Sequence, residues 1–156
     1  ENNIEVVLTE EFLHKYNLWI EDGGVTTVNE FKKLSKEEQE FLLDYLNDMP
    51  VYERITVRSK NYVLIHSLPN DFQNGNHLNY QIEEILFGRP DFTAAWNHKD
   101  IYIIGHTPTF KIRGAIPGKI YKKNNVIDID CGCVTGHALC AYCLDSGETF
   151  YEPFSK

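Results

Sequence analysis

Ile101-Tyr102-Ile103-Ile104-Gly105-His106-Thr107-Pro108 (IYIIGHTP) is the stretch on which the reading of the chain turns. Its four apolar residues read as a buried strand. Gly105 lets the backbone turn, and Pro108 forbids the strand to continue. A core strand that delivers a histidine to its own C-terminal end has the form of a site rather than of packing alone.

A second strand repeats the design. Tyr62-Val63-Leu64-Ile65 runs into His66-Ser67. Ligands of open sheets bind beyond the carboxyl ends of the strands, so neighbouring strands would bring the imidazoles of His66 and His106 together. Neutral imidazole is the commonest metal-ligating side chain. For either histidine alone, a strand-capping role with a hydrogen bond to backbone is an equal reading; the pair favours a site. Ile85-Leu86-Phe87-Gly88-Arg89-Pro90 then leaves a helix through glycine and sets an arginine before a proline that restricts its backbone. The guanidinium of Arg89 offers a planar fork for a phosphate. A surface ion pair with Asp91 or Glu84 is the plainer use of that residue.

Working outward, Thr9-Glu10-Glu11-Phe12 has the form of a helix start, with the helix reaching Leu18 or Trp19 and stopping at Asp22-Gly23-Gly24. Ser35-Lys36-Glu37-Glu38 has capping-box spacing. Phe41, Leu42, Tyr45 and Leu46 follow on one helical face before Met49-Pro50. Beyond residue 50 the pattern becomes mostly strands: 51–57, then 62–65 after a turn at Ser59-Lys60-Asn61, 101–104, 126–129, 138–144 and 149–151. A short helix is expected around Gln81–Phe87 and a loop from Lys111 to Asn125. Helices first and strands afterwards, many of them antiparallel, predict an α+β or layered α/β fold.

The chain has 156 residues and a formal charge of −8. That charge argues against a nucleic-acid polymer as partner, although a local site can still hold an anionic small molecule. No apolar run approaches the length of a membrane helix. Cys131, Cys133, Cys140 and Cys143 are crowded into thirteen positions, a poor disulfide framework, so a reduced, cytoplasmic setting is expected. The chain opens on Glu1 rather than Met, and an upstream portion is expected.

In this order, His66, Leu86-Phe87-Gly88-Arg89, Gly105-His106-Thr107-Pro108 and Ile127-Asp128-Ile129-Asp130-Cys131-Gly132-Cys133-Val134 resemble the second half of a calcineurin-like metallophosphoesterase. The resemblance is to the bacterial and phage branch of the phosphoprotein phosphatases, which includes the bacteriophage lambda phosphatase and symmetrical diadenosine tetraphosphatases. Trp19-Ile20-Glu21-Asp22-Gly23-Gly24 is similar to the W…NGG stretch of that family. The resemblance implies a β-sandwich flanked by helices, of which residues 1–156 form the C-terminal part: a helical segment 1–50, then 51–156 with the histidine motifs. It implies that His66 and His106 ligate the second of two divalent ions (Mn, Fe or Zn), and that Arg89 is the catalytic, phosphate-gripping residue. The implied activity is hydrolysis of serine/threonine phosphoproteins or of small phosphoesters such as dinucleoside polyphosphates, by a hydroxide activated between two metals.

Three motifs of the family, Asp-x-His, Gly-Asp-x-x-Asp-Arg and Gly-Asn-His-(Asp/Glu), are absent from residues 1–156. Gly75-Asn76-His77-Leu78 has some of the letters but lies after His66 rather than before it, so it is read as accidental. The expectation is therefore a chain that supplies only part of the metal site and is not by itself a competent catalyst. Two other readings stand beside this one. One is a non-catalytic interaction module. The other is a structural zinc protein using Cys131, Cys133, His137, Cys140 and Cys143, against which stands the favoured role of cysteine as a small buried residue. His14 and His98 have no motif around them and are expected to face solvent.

Overall fold

The computed structural model describes residues 9–72, 76–94, 96 and 98–155. The chain divides into two compact units, Glu1–Met49 and Pro50–Lys156.

The first unit is helical. Helix α1 (Glu10–Trp19) starts where Thr9 Oγ1 accepts the Phe12 amide at 3.1 Å, leaving fewer first-turn donors unpaired. A π-helical turn over Ile20–Gly24 follows, with Gly23 left-handed at φ 102°. The two glycines do not end the helical region as expected but redirect it into α2 (Val25–Phe31). A Cβ on Gly24 would strike the Trp19 ring at 2.6 Å, so the close turn needs glycine there. Helix α3 (Lys36–Asp48) carries the expected capping box, the Glu38 carboxylate accepting the Ser35 amide at 2.8 Å. Its apolar residues Phe41, Tyr45 and Leu46 are exposed.

The second unit is built on a five-stranded mixed sheet of order β1-β2-β3-β5-β4 and a separate two-stranded sheet of β6 and β7, an α+β arrangement. Strands β1 (Tyr52–Val57) and β2 (Lys60–Ile65) form a hairpin. Its turn is Arg58-Ser59, one residue earlier than the sequence suggests, with φ 47° and 66°. Two positive φ values match the twist a two-residue hairpin needs. Strand β3 (Ile101–Ile104) lies parallel to both β2 and β5 (Val126–Asp128). These inner strands pair in parallel, and the other pairings of the two sheets are antiparallel, as expected for many of the strands. Strand β4 (Tyr121–Lys123) pairs antiparallel with β5 through Asn124-Asn125, both with positive φ, inside what reads as a loop. Strands β6 (Ala138–Tyr142) and β7 (Thr149–Pro153) close through the 143–148 turn.

Alternation along the strands gives the sheet two apolar faces. Val63, Ile65, Tyr102, Ile104 and Val126 join Leu68, Phe72, Ile85, Phe92 and Ile112 in the larger core. Tyr62, Ile103 and Ile127 face the other way, against Ile120, Tyr142 and Leu144 among others. Near-continuous apolar runs suit inner parallel strands covered on both faces. Helix α4 (Ile82–Phe87) covers the first face through Ile85 and is started by Glu84 accepting the Gln81 amide at 2.8 Å. Among the described residues no helix is long and apolar enough to cross a membrane.

Candidate functional site

The ladder of the three parallel strands continues one step past their C-terminal ends. Gly105 N–H donates to the His66 carbonyl at 3.0 Å, and Ile129 N–H to the Ile104 carbonyl at 2.9 Å. This fixes the backbones from which the next side chains project over one edge. The imidazoles of His66 and His106 meet there, with Nε2 of His66 3.2 Å from Nδ1 of His106 and ring centroids 4.9 Å apart. Residues forty apart in the sequence are thus brought together as their strand ends suggest. With nitrogens that close, the ordinary ligand-free arrangement is one ring donating and the other accepting.

Backbone strain at this edge falls on His106, not on Gly105. His106 has φ 66°, a left-handed conformation that costs an L-residue roughly 1–2 kcal/mol. A Cβ on Gly105 would only reach ordinary contact, 3.8 Å from the Asp130 Cβ. The strained turn aims the His106 ring back at His66 and is held by Thr107 N–H donating to the Gly105 carbonyl at 2.7 Å. Thr109 N–H donates to the Asp130 carbonyl at 2.8 Å and ties the following turn to the end of β5.

Arg89 reaches the same edge. Its Nη1 lies 3.4 Å from Thr107 Oγ1, and it makes no ion pair with Asp91 or Glu84 among the described residues. Its backbone is fixed by its own N–H donating to Asn70 Oδ1 at 2.7 Å. Ser67 Oγ donates to the Gly88 carbonyl at 2.7 Å, so the residue after His66 holds the residue before Arg89. Gly88 is packed so closely that a Cβ would press well inside van der Waals contact with the Leu68 and Glu84 carbonyls. Both neighbours are backbone and cannot rotate away. Gly88→Ala is therefore expected to cost about 3 kcal/mol of stability and to displace Arg89. Urea denaturation that finds the variant as stable as the parent would refute that account.

Could the histidine pair hold a metal ion? Two cis ligands with bonds of about 2.1 Å meeting at about 100° span a nitrogen separation of 3.2 Å, so the pair fits as two ligands of one ion. Among the described residues no third His, Cys, Asp or Glu joins them into a metal-holding group.

Asp128 ends β5 beside Ile104 and is fully buried. Its Oδ1 accepts the Asp130 amide at 2.9 Å, while Oδ2 has no partner among the described residues. Burial pushes its carboxyl up to about 8, with the nearby Asp130 charge adding to that and the Asp130 amide opposing it. The sequence marks Asp128 only as part of a family-like run, because an Asp at a strand end normally reads as exposed.

The thiols disperse. Cys131 and Cys140 hydrogen-bond to each other, and burial pushes Cys131 up to about 12. The Cys140 thiol donates to the Ile129 carbonyl at 2.9 Å. Cys143 instead takes hydrogen bonds from Ser146 and the Asp145 and Ser146 backbone in the turn after β6, which lowers its pKa. The ring of His137 stacks on Phe110 with centroids 4.8 Å apart. All four thiols are free. The structure thus does not gather Cys131, Cys133, His137, Cys140 and Cys143 into the closed zinc site that their spacing suggests.

Two further histidines sit among aromatic rings, and of these His98 departs from its sequence reading. His98 does not face solvent but packs against Phe72, Trp96 and Tyr102. His77 is buried against Tyr52, with Nδ1 3.3 Å from the Tyr102 hydroxyl, and burial lowers its pKa. Gly75 of the quartet Gly75-Asn76-His77-Leu78 lies outside the described residues. His14 is exposed, as expected.

No family model matches the chain. It is 27% identical over 150 residues to an asymmetrical bis(5'-nucleosyl)-tetraphosphatase of Bacillus subtilis (strain 168), an alignment covering 85% of this chain and 57% of that protein. The chain thus spans little more than half the length of that relative. The likeness to a phosphohydrolase and the dispersal of the thiols do not favour the zinc protein or the interaction module.

Proposed function

We propose that this chain carries one ligand pair and the phosphate grip of a metal-dependent phosphoesterase acting on dinucleoside polyphosphates. The observation that carries the reading is the meeting of His66 and His106 at 3.2 Å with Arg89 beside Thr107 on the same edge. The name of the similar protein supports the substrate class, and its word "asymmetrical" supports cleavage away from the middle of the phosphate chain.

In this reading His66 Nε2 and His106 Nδ1, both in the neutral ring form, hold one divalent ion; Mn, Fe and Zn all accept such nitrogen ligands. When bound, divalent ions polarise a phosphoryl oxygen and lower the pKa of water. Arg89 binds the non-bridging oxygens of the reacting phosphate, and its fork fixes their plane. Thr107 and Asn70 hold that guanidinium and its backbone in place, so orientation is set before substrate arrives. Asp128, whose carboxyl burial pushes up to about 8, is mostly protonated at neutral pH.

The test is to incubate the full-length protein with diadenosine tetraphosphate and Mn(II), Fe(II) or Zn(II) in turn, and to separate the products. The expected result is metal-dependent release of a nucleoside triphosphate and a monophosphate, abolished by chelation. Two diphosphates would move the cut to the centre of the chain. Cleavage only of a phosphoserine peptide would replace the substrate class. A folded protein that cleaves neither with any of the metals would refute the proposal.

A further inference from the structure

A groove of about 440 Å³ opens from the Thr107 side of the histidine pair, and its lining holds more cations than carboxylates. The chain as a whole is at −8, yet Arg89, Lys111 and Arg113 all line this one groove. None of the three is paired with a carboxylate among the described residues. Three cations against the single carboxylate of Asp91 leave the lining with a net positive charge, which would attract an anion into the groove.

The placement of the two loop cations follows from the turn after His106. Thr109–Lys111 is a 3₁₀ turn, and Ile112 N–H donates to the Thr109 carbonyl at 3.1 Å. Ile112 is buried in the larger core, which leaves Lys111 and Arg113 exposed on either side of it. The core thus anchors the segment between the two charges. Thr107 links the groove to the site, since it accepts from Arg89 and follows His106 directly. Asp91, the one carboxylate of the lining, accepts from the Thr93 amide and hydroxyl at 2.8 and 2.6 Å, so its Oδ1 is already engaged. Part of the lining is apolar: Tyr121 is half-buried, edge-on to the buried Phe92 at 5.3 Å between centroids.

We infer that Arg89, Lys111 and Arg113 form a polyphosphate groove, which holds the phosphates beyond the reacting one along a line leading away from His66 and His106. The inference rests on the phosphoesterase reading for its orientation. A single phosphate needs one grip. A chain of three in the leaving portion needs cations at successive steps, and the groove supplies them with no carboxylate paired to any. The apolar part of the same lining offers a surface to the nucleoside at the end of such a chain. Lys111 and Arg113 are thereby specificity-determining residues: they select a chain of phosphates over a single one.

Binding, rather than turnover, gives the test, with metal removed by chelation so that the histidine pair does not contribute. Isothermal titration calorimetry on the full-length protein would compare inorganic tripolyphosphate with orthophosphate. The expected result is tighter binding of tripolyphosphate, weakened about tenfold in Lys111→Ala/Arg113→Ala, as two exposed charge contacts would do. Lys111→Arg/Arg113→Lys should restore it, and a melting curve would confirm that each variant folds. No preference for tripolyphosphate in the parent protein, or a preference that survives the double alanine variant, would overturn the groove. Loss of binding in a protein that hydrolyses no phosphoester would keep the groove and remove the phosphoesterase reading. Hydrolysis with binding unchanged in the variant would do the reverse.

Discussion

His106→Ala should lower phosphoester hydrolysis by about a hundredfold or more while leaving the protein folded. Loss of a group that merely orients a metal ligand already costs roughly 10- to 100-fold, and His106 is proposed as a ligand itself. The variant should also bind less divalent ion, measured by elemental analysis after dialysis. His106→Gly separates function from structure more sharply. His106 sits at φ 66°, where glycine has no Cβ penalty although it loses more chain entropy on folding. That variant is expected to be up to about 1 kcal/mol more stable than the alanine form while losing activity as fully. Retained hydrolysis in either folded variant would remove His106 from the site. A glycine form less stable than the alanine form would show that the left-handed turn carries no strain.

The second large effect is on stability. The Asp128 carboxyl is fully buried, which pushes its pKa from an ordinary carboxylate value up to about 8. Between about pH 4 and pH 8 the folded chain keeps a proton that the unfolded chain has released. Folding therefore takes up a proton in this window, and stability falls as pH rises through it, levelling off above 8. The expected decline between pH 5 and pH 8 is roughly 2–4 kcal/mol for this group. Asp128→Asn keeps an oxygen to accept the Asp130 amide and cannot ionise. It should flatten that dependence and leave the variant more stable than the parent at pH 8. Urea unfolding at pH 5, 6.5 and 8 measures both slopes; parallel slopes for the two proteins would sink the idea.

How far the sequence carries the reader differs by element. Strand β3 is legible to the residue, since Ile101–Ile104 is a closed apolar run bounded by a charge and a glycine. The meeting of His66 and His106 follows from two strands ending alike. Strand β4 is missed because three residues, two of them lysines, have no period to detect; only Asn124-Asn125 marks its hairpin. Helix α2 is missed because paired glycines read as a stop, whereas here Gly23 and Gly24 redirect the chain around Trp19. The loop cations Lys111 and Arg113 give no signal in one dimension. Their convergence with Arg89 depends on the buried Ile112 between them. His98 misleads for a similar reason, since its aromatic neighbours include residues far away in sequence.

The parallel order of β2, β3 and β5 also sets the sequence of events by which the protein comes into being. The β1–β2 and β4–β5 hairpins join neighbouring residues through two-residue turns and close on the microsecond scale. Pairing β2 with β3 must first close a loop of more than thirty residues, whose entropy is lost before any contact repays it. Only that slower step brings the two imidazoles within reach of each other. A nascent or partly unfolded chain therefore presents each histidine alone, and the proposed ligand pair comes into being only when the central strands zip.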